Sequence, residues 1–128
     1  MTVRREELLR VHRMPSDCIF KLTLTIDADR ITFTEFYDYG PRGDDPGREY
    51  GYSVHAPYDA LDQLADVYAP GTEGPAADRL VRAFNHLITE GVLGDGRGLK
   101  INQTKVFEGF EAAGVEPTTS VWSWINSD

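Results

Sequence analysis

The groups in this chain that could do chemistry are few and widely separated. The three histidines, His12, His55 and His86, fall in three different stretches with no His-x-x-x-His or His-x-x-Glu pair. No two of them share a helix face as zinc ligands do, so no metal site is expected. The serines Ser16, Ser53, Ser120, Ser123 and Ser127 lack a G-x-S-x-G elbow and any triad setting that the sequence displays. The run "GVLGDGRGLK" is rich in glycine, but it lacks the Gly-Lys-Ser/Thr ending of a phosphate loop and follows a helical pattern, not a strand. Asp95 stands there without carboxylates at the next calcium-ligand positions. These patterns assign no catalytic residue, metal or cofactor.

Carboxylates and tyrosines are more informative. Glu35 falls on the apolar parity of "ITFTEFYDY", between Phe33 and Tyr37. A carboxylate buried there would need a partner and would mark a functional position. The simpler reading, preferred on sequence, is a bulge or a strand tip that leaves the core at that point. Asp44 and Asp45 sit in a Pro/Gly turn where nothing would desolvate them. Asp59, Asp62 and Asp66 form an i, i+3, i+7 stripe on a helical segment that contains no lysine or arginine. Such a stripe costs a few tenths of a kcal/mol per neighbouring pair. With Glu35, Asp38 and Glu49, and with Tyr37, Tyr39, Tyr50 and Tyr52 as walls, these residues predict an acidic, aromatic docking surface.

The elements that must position them follow from periodicity. Residues 4–13, "RREELLRVHR", read as a short helix stopped by Pro15. "IFKLTLTI" alternates, with Phe20, Leu22, Leu24 and Ile26 on one side, and "DADR" turns it into the strand carrying Glu35. A Pro/Gly-rich tip then leads into "YGYSVHA", where Tyr50, Tyr52 and Val54 oppose Gly51, Ser53 and His55. Helical spacing predicts helices over 57–68 and 75–90, the second closed by Gly91, and a third over 102–113 with Asn102 as its N-cap and Gly114 as its stop. "TTSVWSWI" has strand composition, with Trp122 and Trp124 on one face. The sum is one α+β domain: a mostly antiparallel sheet, a three-stranded meander plus a C-terminal strand, with three to four helices on one face.

Bulk properties narrow the partners. At 128 residues the chain is long enough for one self-sufficient core, and its formal net charge is −8 with three lysines. That balance argues against nucleic acid and anionic membranes as partners and favours basic proteins. The single cysteine, Cys18, excludes an internal disulfide and reads as a small buried hydrophobe. The charged N-terminus has no secretory pattern and no run could span a membrane, so a cytoplasmic protein is expected.

The overall plan resembles the small acidic immunity proteins that accompany bacterial polymorphic and contact-dependent growth-inhibition toxins. The likeness rests on a short N-terminal helix, the meander "IFKLTLTIDADRITFTEFYDYG", amphipathic helices and the end "GVEPTTSVWSWINSD". It implies a non-enzymatic cytoplasmic inhibitor that binds one cognate toxin domain, often a basic nuclease. Two other readings stand beside it. One is a small enzyme or ligand-binding domain with a pocket between sheet and helices that holds Glu35, His55 and tyrosines. The other is a subunit that dimerises through a sheet edge.

Overall fold

The computed structural model describes residues 3–13, 17–41, 47–93 and 99–125. Five antiparallel strands form one sheet in the order β1-β2-β3-β4-β5: β1 Arg4–Arg13, β2 Cys18–Ile26, β3 Arg30–Tyr39, β4 Arg48–Pro57 and β5 Thr118–Ile125. A single helical turn, Tyr58–Ala60, leads from β4 into α1 (Leu61–Tyr68), followed by α2 (Ala76–Thr89) and α3 (Leu99–Ala112). All three helices belong to one layer, and β5 returns to pair with β4. No helix among the described residues is long and apolar enough to cross a membrane.

The apolar alternation of β2 and β3 decides which face the helices cover. Phe20, Leu22, Leu24 and Ile26 are buried at every second position, as are Ile31 and Phe33, with Val54 and Ala56 beside them on β4. Each large side chain so buried contributes about 1.5–3 kcal/mol. Leu61, Leu64 and Ala65 of α1, Leu80, Val81, Ala83 and Phe84 of α2, and Val106 and Phe110 of α3 complete the core. Cys18 is buried, in line with its reading as a hydrophobe. At the β2–β3 turn, the backbone N–H groups of Asp29 and Arg30 donate to Asp27 Oδ1 at 2.8 and 2.9 Å. Those bonds hold the Asp27 carboxyl below its ordinary pKa. Gly91 and Gly114 take positive φ just past α2 and α3, as the sequence predicts for C′ glycines.

Two expectations are corrected. Residues 4–13 are an edge strand, not a helix, so the sheet has five strands and the helical layer three α-helices. A bulge between Glu7 and Leu9 explains the misreading. Its extra residue, Leu8, breaks the period-2 alternation and leaves Leu8, Leu9 and Val11 at a spacing that imitates a helix. Asn102 is not an N-cap either, because α3 begins a turn earlier, at Leu99. Leucine and lysine at 99 and 100 favour that extension. The expectations placed on Asp44, Asp45 and the glycines of 94–98 lie outside the described residues, as do those on the side chains of Trp122 and Trp124.

Candidate functional site on the sheet

The predicted acidic, aromatic surface divides between the two faces of the sheet. Glu35 is fully buried, at 0% exposure, in an uninterrupted register that sets it against Leu22 on one side and Tyr52 on the other. The strand neither bulges nor leaves the core there, which overturns the simpler reading. The Tyr37 hydroxyl donates to Glu35 Oε2 at 3.4 Å, and the Tyr37 ring is itself buried against Phe20, 5.0 Å between centroids. Tyr39, Tyr50 and Tyr52 are half-buried on this helix-side face, in edge-to-face contacts of 6.2 Å for Tyr37–Tyr52 and 6.0 Å for Tyr39–Tyr50. Most of this ring surface is spent on packing. Glu35 and Tyr37 therefore leave the candidate contact surface, and Tyr39, Tyr50 and Tyr52 remain only partly accessible, on the helix side.

The acids also separate. Asp38 and Glu49 have the opposite parity from Tyr37 and Tyr50, so they lie on the outer face, which no helix among the described residues covers, directly opposite one another across β3 and β4. Asp59, Asp62 and Asp66 are exposed in the helical layer on the other side of the sheet. The absence of a basic residue within α1 is offset from outside: Arg79 of α2 donates to Asp66 Oδ1 at 3.0 Å. The outer-face pair and the α1 stripe do not form one patch.

The outer face carries a hydroxyl and imidazole network that sequence reasoning missed. His55 Nδ1 lies 2.9 Å from Thr32 Oγ1 and its Nε2 lies 2.8 Å from Ser120 Oγ, linking β3, β4 and β5 side by side. Thr34 Oγ1 and Ser53 Oγ share a bond of 2.9 Å one pair along. Burial, and then the charge of Arg30, hold the His55 imidazole below its ordinary pKa, which favours the neutral ring. A neutral imidazole between two hydroxyls can accept from one and donate to the other. Toward β1 the same face dips into an open groove of about 610 Å³, lined by Arg5, Glu7, Lys21, Thr23, Thr25, Thr34 and Phe36. Lys21 Nζ stands 4.5 Å over the Phe36 ring. The signal available in the sequence was one parity of "LTLTI", "ITFTE" and "YSVH", which is hydroxyl-rich throughout. Only the register shows that these rows meet.

Glu35 points into the helix-side core while His55 belongs to the outer face, so a shared pocket holding both is not formed. Among the described residues no three His, Cys, Asp or Glu side chains gather as metal ligands. Comparison with protein-family models, with curated proteins and with solved structures finds no match.

Proposed function

We propose that the protein is a non-enzymatic binding protein of the immunity type, which neutralises a basic toxin domain by docking it on the acidic end of the open sheet face. The observation that carries this reading is the direct opposition of Asp38 and Glu49 on the outer face. Like charges set opposite each other destabilise a sheet, and an arriving cation turns that cost into an attraction. The surplus of negative charge over the whole chain, −8, steers such a partner before contact is made. Charge on the uncovered face then sets the association rate. The test is co-expression with the product of the neighbouring gene, followed by stopped-flow association at several salt concentrations. Association that slows steeply with salt, and slows further in Asp38→Asn/Glu49→Gln, supports the reading. A rate indifferent to both salt and that double substitution removes it.

The chain Ser120–His55–Thr32 favours a second reading, a weak acyl hydrolase. Ser120 Oγ would attack an ester carbonyl as its proton passes to His55 Nε2, and His55 would return that proton to the departing alcohol. Water, giving a proton to the same imidazole, would then cleave the acyl-serine to the free acid, with the proton returned to Ser120 Oγ. Incubation with a p-nitrophenyl ester tests this reading. A stoichiometric burst that Ser120→Ala abolishes supports it, and no acylation of Ser120 by mass spectrometry excludes it.

A further inference from the structure

An open sheet has two free edges, and this one treats them differently. Edge strand β1 is blunted in the ways that prevent strand addition. It carries Arg4, Arg5, Glu6, Glu7 and Arg10, a bulge at Leu8, and ion pairs Arg4–Glu6 and Arg10–Glu7 along its length. Edge strand β5 has none of these devices. Its eight residues, TTSVWSWI, include no charge, no proline and no glycine, and its pairing with β4 runs from Thr118 to Ile125 without a shift. Val121, placed on the helix-side face by its register with Tyr52, is 68% exposed, so the helical layer stops short of this strand.

We propose that β5 is the interface for a second copy of this chain, which adds antiparallel, edge to edge, to make one continuous ten-stranded sheet. The occupant follows from charge and symmetry. A basic partner has nothing to attract it at an uncharged strand, whereas two copies, each of net charge −8, repel one another over most of their surface. The uncharged edge is where they can meet without opposing like charges. A two-fold axis perpendicular to the sheet keeps both helical layers on the same side. Opposed residues then share a face only when the axis passes through a residue position. With the axis at Val121 the exposed valine meets its own mate, and Thr119 faces Ser123 of the second copy. Because β1 is blocked, each chain offers one open edge and assembly closes at two, where two open edges would build a fibre. An edge pairing of this length buries on the order of 1,000 Å², at the small end of specific interfaces, where weak and transient pairings lie.

Sedimentation velocity of the full chain from about 1 to about 300 µM tests the proposal across the range where such a dimer forms. The expected result is a monomer that converts to twice the chain mass, and a Val121→Lys variant that stays monomeric throughout. Val121 is solvent-exposed, and circular dichroism confirms that the variant is folded. Thr119→Asp, at a second exposed position on the strand, gives the same readout independently. A wild-type chain that remains monomeric at the highest concentration overturns the proposal. So does a dimer that survives both substitutions, or a series of species larger than two.

Discussion

Asp38 and Glu49 face each other across β3 and β4 on the side of the sheet that the helices leave open. Such a pair opposes folding, and the proposed function assigns its place on the uncovered face to a cationic partner. Removing one charge should separate the two roles. Glu49→Gln is expected to raise stability by about 0.2–1 kcal/mol, the range of a cross-strand pair, with the gain shrinking as salt screens the original repulsion. The same variant should associate more slowly with the partner. Urea midpoints at low and high salt check the first statement, and stopped-flow the second.

Glu35 supplies the matching negative prediction. Buried at 0% exposure among Leu22, Phe33, Tyr37 and Tyr52, it cannot touch a docked protein. Glu35→Gln, which keeps shape and an acceptor for the Tyr37 hydroxyl, should leave the association rate within about twofold of wild type. Tyr37→Phe removes the donor and should cost about 1–2 kcal/mol of stability. A large loss of association in a folded Glu35→Gln variant would return this residue to the interface.

A third prediction concerns the packing of α3 on α1. A Cβ at Gly109 would lie 2.2 Å from Cζ of Tyr68. The ring has little room to yield, since its hydroxyl donates to the Val106 carbonyl at 2.8 Å and it stands in an edge-to-face contact with Phe84 at 4.8 Å between centroids. Burial also pushes the Tyr68 phenol far above its ordinary pKa. Gly→Ala within a helix normally gains up to about 1 kcal/mol, but overpacking should outweigh this and give a net loss of about 1–3 kcal/mol. In a Tyr68→Leu background the same substitution should be neutral or stabilising, which a double-mutant cycle in urea reads directly.

Acid should weaken the sheet through His55. Its folded-state pKa is held below the ordinary 6.5 by burial and Arg30. The unfolded chain therefore binds the proton first as pH falls through 6.5. The contribution is complete above that value, is lost on descending to the folded pKa, and changes no further below it. His55→Gln should flatten this part of a stability–pH profile. The lower limb should persist, because the Asp27 and Glu7 carboxyls are held below their ordinary pKa by hydrogen bonds with backbone N–H groups and with Arg10 respectively.

Strands β2, β3 and β4 were legible in the sequence because their alternation is unbroken and each has one apolar face. β1 was not, since one bulge at Leu8 desynchronises its two halves and charges occupy both faces of an edge. The parity of Glu35 is visible in the sequence, yet only the continuity of its register shows that the strand does not kink to expose it. The meeting of Thr32, His55 and Ser120 could not be read at all. Their proximity depends on β5 returning beside β4 after three helices, a topological fact that no local pattern encodes.

That return has a consequence for biosynthesis. The first four strands are joined by hairpins and can zip together as they emerge, but the flank of β4 is sealed only by residues 118–125. At ordinary elongation speeds the stretch between Pro57 and Thr118 takes on the order of 3 to 12 seconds to translate. Throughout that interval the nascent chain presents an unsatisfied backbone ladder while its helices form. Chains stalled before Thr118 should consequently be the aggregating, chaperone-bound products of this gene, because only the closing strand satisfies the exposed flank of β4.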